Sequence, residues 1–259
     1  MLFYQMTGFM GQEDGREAPA LDLPAPEGAA LLLDFDGTLV EIAERPDAVV
    51  VPDRVPALLE RAVARLEGRV ALISGRTIAD LEGFLPGFGG TLVGAHGAEF
   101  RLDGVRSQVD DIDLDIVGRL QRLVHDFGGL VPGFLVEDKP TGVVLHFRQA
   151  EEKSGLALKF MESLANAAEG FRLQPALMAF EIKPSSVGKD VAMRRLFEDA
   201  PFAGSLPVVA GDDLTDEPAI GLAQEMGGVG VKLGQAETVA RHRLPGPTEL
   251  IDRLEAWLA

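Results

Sequence analysis

The sequence predicts the α/β class: a doubly wound parallel (Rossmann-like) core sheet with an inserted α+β domain. Three observations carry this. Short apolar runs alternate with helical patterns at both ends of the chain, the signature of βαβ units. A central stretch breaks that rhythm with an α-β-β-α-β-β order. The first apolar run, Leu31-Leu32-Leu33, ends abruptly on Asp34 and Asp36, and ligands of such sheets bind at the carboxyl ends of strands.

The elements follow in order. Residues 1–27 mix Gly, Pro and acids without periodicity and are expected to form a flexible tail. Residues 31–33 read as a buried strand. Val55, Leu58, Leu59, Ala62, Val63 and Leu66 have the spacing of an amphipathic helix. Residues 70–73 read as a strand, 76–84 as a helix and 91–93 as a strand. Residues 105–113 are acidic and read as irregular. A helix is expected over 114–127, strands over 134–137 and 142–148, a helix over 151–168, and strands over 171–174 and 177–182. The α/β rhythm then returns: helix 189–197, strand 206–210, helix 218–226, strand 228–231 and a helix over 249–258. The expected division is 28–103 plus 185–259 for the core and 104–184 for the insertion, with linkers near 101–104 and 183–186.

Composition excludes several function classes. The chain has 259 residues and no cysteine, so disulfides, thiolate catalysis and zinc–sulfur sites are out. It lacks an apolar run of about 18 residues, so no membrane span is expected. The N-terminus does not read as a secretory signal, and a cytoplasmic setting is expected. With 24 basic and 41 acidic residues the net charge is −17, which argues against nucleic acid and anionic membranes as partners. A small molecule is the expected partner, and the chain is expected to be a monomer.

Five segments carry chemistry. On a strand, Asp34 and Asp36 point to one face, about 7 Å apart along the chain; they offer a nucleophile, an acid/base and a cation seat. Ser74-Gly75-Arg76 follows a strand; its hydroxyl and N–H groups suit a phosphate, or Ser74 is simply a helix N-cap. Lys189 opens a helix after Gly188, but Lys183 and Asp190 stand where a P-loop needs Gly and Ser/Thr, so a solvated lysine is the plain alternative. Gly211-Asp212-Asp213-Leu214-Thr215-Asp216-Glu217 crowds acids at a strand end. Asp216 could be a helix cap before Pro218, whereas Asp212 and Asp213 call for a cation. An all-oxygen donor set suits magnesium. Gly94-Ala95-His96-Gly97 lets a ligand approach the backbone, with His96 either touching substrate or merely structural. In the insertion, Glu137-Asp138-Lys139 and Glu181-Ile182-Lys183 each present a carboxylate and an ammonium on one strand face. Such pairs suit vicinal sugar hydroxyls, or form ion pairs on a solvated surface. His125 and His242 read as surface residues.

In order and strand context these segments resemble the haloacid dehalogenase-like phosphatase superfamily. The runs 72–76, 94–99, 145–148, 181–184 and 211–217 resemble more closely its trehalose-6-phosphate phosphatase family. The resemblance covers most of residues 29–259 and implies a magnesium-dependent phosphoric monoester hydrolase of trehalose biosynthesis. It implies Asp34 as nucleophile and Asp36 as acid/base, with the Asp36 backbone carbonyl on the metal. It implies Ser74 and Lys189 as phosphoryl ligands, Asp212 with Asp34 on Mg2+, and Asp213 and Asp216 supporting that end. The insertion would be a mobile cap that reads the sugar. Gly75, Arg76, His96, Gly97, Glu137, Lys139, Glu181 and Lys183 make up the expected substrate site. Sucrose phosphate, a glycerate-linked sugar phosphate or a hexose phosphate would be compatible alternative substrates. A phosphate-accepting receiver module and a non-catalytic sugar-binding protein are the rival classes.

Overall fold

The computed structural model describes residues 21–43, 45, 48–109, 112–176 and 178–259. Strand β1 (Ala29–Leu33) is buried along its whole length. Ala29, Leu31 and Leu33 face one apolar cluster while Ala30 and Leu32 face another. A strand covered on both sides needs an unbroken apolar run, and that is what the sequence has there. Around it lie β2 (Val70–Ile73), β3 (Thr91–Gly94), β10 (Leu206–Gly211), β11 (Val229–Leu233) and β12 (His242–Leu244), all parallel. Two antiparallel strands, β4 (Glu99–Leu102) and β5 (Val105–Gln108), complete an eight-stranded sheet in the order β12-β11-β10-β1-β2-β3-β4-β5.

Helices cover both faces. Val55, Leu58, Leu59 and Ala62 of α1 (Arg54–Arg65), Ile78 and Leu81 of α2 (Ile78–Phe84) and Leu250, Ile251 and Leu254 of α7 (Pro247–Trp257) fill one cluster. On the other face lie Ala192, Met193 and Leu196 of α5 (Lys189–Glu198) and Ile220, Leu222 and Ala223 of α6 (Glu217–Glu225). The chain winds outward from β1 in both directions, to β2 on one side and β10 on the other. That switch point puts the tips of β1 and β10 beside a crevice.

A second sheet, in the order β6-β7-β9-β8, is antiparallel throughout. It comprises β6 (Leu135–Lys139), β7 (Gly142–His146), β8 (Phe171–Ala176) and β9 (Ala179–Pro184). Helices α3 (Leu114–Leu130) and α4 (Ser154–Ala167) pack on it through Val117, Leu120, Val124, Ala157 and Met161, a core separate from the other two.

Three expectations change. Residues 103–104 are not a linker: Asp103 and Gly104, with φ 49° and 78°, turn the β4–β5 hairpin. The larger sheet therefore runs on to Gln108 instead of ending at 103. Strand β5 is exposed at every position, so it lacks the burial alternation that marks a strand. Of the expected tail, residues 1–20 lie outside the described residues. Residues 21–27 are anchored: Leu21 and Leu23 pack on the core, and the Trp257 indole donates to the Pro24 carbonyl at 2.7 Å. Finally, His242 lies half-buried in β12 instead of on the surface. His125 is exposed, with Nε2 3.1 Å from Asp138.

Candidate active site

Asp34 follows directly on β1, and its backbone N–H donates to the Ala210 carbonyl of β10 at 3.0 Å. The chain then turns tightly, with the Leu39 N–H donating to the Phe35 carbonyl at 2.9 Å and the Gly37 N–H to Val40 at 2.8 Å. Gly37 has φ +72°, and a Cβ there would fall 2.1 Å from Asp212 Oδ2. Glycine thus lets Asp212, at the tip of β10, lie against the turn. Asp34, Asp212 and Asp216 each offer an oxygen within 4.8 Å of the others.

Lys189, the first residue of α5, is 4% exposed and not solvated. Its Nζ lies 2.7 Å from Asp34 and 2.6 Å from Asp216. Burial opposes its charge, but the two carboxylates outweigh that and hold it above the usual lysine range. The two acids compete for this single ammonium. Burial therefore still pushes Asp34 above the carboxylate range, with Lys189 only partly offsetting it. Asp212 is pushed up to about 6 by burial and by Asp216 and Asp213. A crowded, partly desolvated set of hard oxygens like this could hold a metal ion.

Ser74 is buried at the tip of β2. It is not the N-cap of α2: Thr77 is, accepting the Asp80 N–H at 3.2 Å. Ser74 Oγ accepts the Arg76 N–H at 3.2 Å. Arg76, expected against substrate, instead grips Asp36 with both arms, at 2.6 and 2.7 Å. Its guanidinium lies over Phe84 and Phe35, 4.8 and 5.7 Å from the ring centroids. Asp213 stands outside the three-carboxylate cluster. With Asp216 it forms a capping box on the turn before α6, so it has a structural reason that its sequence position did not reveal.

A cleft of about 780 Å³ separates the two sheets. Gly75, His96 and Asp213 line it on one side, and Glu137, Lys139, Glu181 and Lys183 on the other. Gly97, at φ +105°, packs on the Gly188 carbonyl. The His96 ring lies against Gly75. Burial, then the charges of Lys189, Lys183 and Lys139, lower its pKa to about 4. Glu137 bonds Lys139 and, at 2.9 Å, His146 Nε2. The Lys139 hydrogen bond leads in holding the Glu137 carboxyl below its usual range. Lys183 is 6% exposed, and burial lowers its pKa.

Two polar residues near the site were given no role by sequence reasoning, although His146 lies within the 145–148 run. His146 lines the cleft beside Glu137; its alternation with Val144 across β7 was the available signal. Lys232, 1% exposed in β11, bonds Glu217 at 3.0 Å and the Asp213 carbonyl at 3.2 Å. A lysine inside the apolar run Val229–Leu233 was its only mark.

The family model for trehalose-phosphatase matches residues 32–244. The chain belongs to the trehalose-phosphatase family. Trehalose-6-phosphate phosphatase of Escherichia coli is 34% identical over 230 residues, covering 87% of this chain and 85% of that one. Among solved structures, Aspergillus fumigatus trehalose-6-phosphate phosphatase aligns with a TM-score of 0.73 at 22% identity, over 90% of this chain and 93% of that one. The C-terminal domain of C. albicans trehalose-6-phosphate phosphatase gives 0.71 at 22%, with the same coverage. These two likenesses speak to the fold; membership in the trehalose-phosphatase family rests on the sequence matches.

Proposed function

We propose that this protein is a magnesium-dependent phosphatase that hydrolyses trehalose 6-phosphate to trehalose and phosphate. The carrying observation is one constellation: Asp34 held by buried Lys189 beside Asp212 and Asp216, at the foot of strands whose neighbouring residues line a cleft with paired Glu and Lys side chains. Asp34 attacks phosphorus, the bond to the sugar oxygen breaks, and Asp36 gives that oxygen its proton. The aspartyl-phosphate on Asp34 is then hydrolysed by a water whose proton passes to Asp36, freeing phosphate and the original carboxylate. Ser74 and Lys189 hold the phosphoryl oxygens. Asp34, Asp212 and the Asp36 carbonyl would hold Mg2+, with Asp213 and Asp216 behind them; the ion would neutralise charge on the phosphoryl group.

The smaller sheet acts as the cap. Glu137 and Glu181 accept from sugar hydroxyls, and Lys139 and Lys183 donate to them, with Gly75, His96 and Gly97 closing the other wall. Arg76, which donates to both Asp36 oxygens, orients that carboxyl and has to release one oxygen for Asp36 to carry the proton it gives the sugar. Residues 185–188 form one connection between cap and core.

The test is phosphate release from trehalose 6-phosphate with magnesium, repeated with excess chelator, beside sucrose 6-phosphate, a glucosyl phosphoglycerate and glucose 6-phosphate. Magnesium-dependent turnover with at least tenfold preference for trehalose 6-phosphate supports the reading. Equal turnover of another ester, or turnover indifferent to the chelator, refutes it.

A further inference from the structure

One arginine leaves its own sheet. Arg172 on β8 stands opposite Lys183 of β9 in the antiparallel register. Two cations facing each other across strands repel, and Lys183 is buried, which sharpens the cost. The Arg172 guanidinium turns away toward the start of α5. Its Nη2 donates to Asp190 Oδ1 at 3.0 Å and to the Val187 carbonyl at 3.2 Å, and its Nη1 lies 3.4 Å from Asp190 Oδ2. Gly188 makes room for it: a Cβ there would fall 2.1 Å from Nη2. From another side the loop carrying His96 presses on the same residue, since a Cβ on Gly97 would fall 2.7 Å from the Gly188 carbonyl oxygen. The next residue is Lys189, 2.7 Å from Asp34. Burial would raise the Asp190 carboxyl, but the Arg172 bonds outweigh it and hold it below its usual range.

A continuous run of contacts thus links Lys183 in the cleft, through Arg172, Asp190 and Gly188, to Lys189 at the nucleophile. We propose that Arg172 is a positioning residue that locks the smaller sheet to the start of α5, fixing the distance between the sugar-reading lysine and the phosphoryl-holding one. The inference rests on the proposed sugar-phosphatase reading. A substrate that must be gripped at both its sugar and its phosphate end needs that distance fixed; a small phosphate ester does not. The lock lies at the cap's second connection to the core, where a change of angle of a few degrees moves the far end of the cap most. A flexible ammonium cannot reach both acceptors as a planar fork does.

The experiment compares wild type with Arg172→Ala, Arg172→Lys, Asp190→Asn and the Ala/Asn double variant on trehalose 6-phosphate and on p-nitrophenyl phosphate. Amide hydrogen exchange is followed in parallel. Arg172→Ala is expected to lower kcat/KM on the sugar phosphate at least tenfold, mainly through KM, while the aryl phosphate stays within twofold. Arg172→Lys recovers only part of the loss, and the double variant is no worse than Arg172→Ala. Exchange quickens at 184–190 but not in β1 or β10. Equal losses on both esters, or none on either, would overturn the proposal. If wild type does not hydrolyse trehalose 6-phosphate, the functional reading fails by itself. Exchange then decides the lock: confined quickening at 184–190 upholds it, and unchanged exchange overturns it.

Discussion

Replacing Lys189 by methionine keeps the buried stem and removes the charge. Lys189 is 4% exposed and its ammonium lies 2.7 Å from Asp34 and 2.6 Å from Asp216, residues themselves 7% and 2% exposed. The variant leaves three neighbouring carboxylates with no ammonium among them. Breaking a buried pair by removing one partner costs about 3–5 kcal/mol, or roughly 6–20 °C in Tm for a chain of this size. The sign of the pH dependence is fixed by Asp34, whose folded pKa is raised by burial even beside Lys189 and must rise further without it. An acid raised on folding binds more protons folded than unfolded. Its cost therefore grows as pH climbs from about 4 through the folded value and is constant beyond it. Below the wild-type folded value of about 7 both proteins hold that proton alike, so the electrostatic part of the deficit should be small at about pH 5, larger at about pH 8 and still growing there. Magnesium should narrow it by restoring positive charge to the cluster. Urea unfolding of both proteins at the two pH values, with magnesium and with chelator, measures all of this. A deficit equal at both pH values and blind to magnesium would mean that Lys189 acts by packing alone, and the electrostatic account of the cluster would be wrong.

Three further outcomes are expected. Asp36→Asn should lower kcat by about 10² to 10⁴, the usual share of general acid–base catalysis, with substrate affinity within a few-fold in equilibrium binding; a full-rate variant excludes Asp36 as acid/base. Because Asp34 is raised and Asp212 sits at about 6, magnesium binding near pH 6 should release protons and tighten with rising pH, levelling off once both acids are ionised; calorimetry in buffers of different ionisation heat reads this, and a heat independent of buffer contradicts it. With its pKa lowered to about 4, His96 is neutral from pH 5 upward, so His96→Gln should raise KM for the sugar phosphate without moving the pH profile; loss of a limb near pH 6.5 in that variant would show a charged His96.

Five of the six parallel strands were legible because they are largely buried on both faces, so that Leu31-Leu32-Leu33 and Val70-Ala71-Leu72-Ile73 read as unbroken apolar runs; β12, only partly buried at His242 and Arg243, was not. Asp34 and Asp36 stood out in the sequence because no structural role explains two carboxylates at the end of such a run. Strand β5 was hidden: exposed at every position, it carries no periodic signal and is specified by its register on β4. The direction of Arg76 was hidden for a different reason. Sequence placed it next to Ser74 and so near substrate, but its direction depends on the Phe35 and Phe84 rings that carry it toward Asp36. Asp213 illustrates the same limit, since a capping box needs the local turn geometry before it can explain an acid. Motif order reports which groups share a strand tip. Which way each long side chain turns is decided by packing partners distant in sequence.

The division of charge within the site also fixes an order of events. At the strand tips three carboxylates share one ammonium. Across the cleft, Glu137 balances Lys139, and Glu181 stands in the same strand as Lys183. Two like unit charges about 4 Å apart repel by about 4 kcal/mol near a protein surface, a factor of nearly 10³ in affinity for each one left uncompensated. Once its acids are ionised, the bare cluster thus rejects a phosphate dianion more strongly than Lys189 alone can attract it, and the chain's net charge of −17 adds to the rejection at long range. The Glu137–Lys139 pair across the cleft has no such conflict, and on the proposed reading that wall can take a neutral disaccharide at any time. Neutralisation of the Asp34, Asp212 and Asp216 cluster must therefore precede productive seating of the phosphate. On the proposed reading the sugar end is recognised first, and Asp34 becomes usable as the nucleophile only after the acids around it have been given a counter-charge.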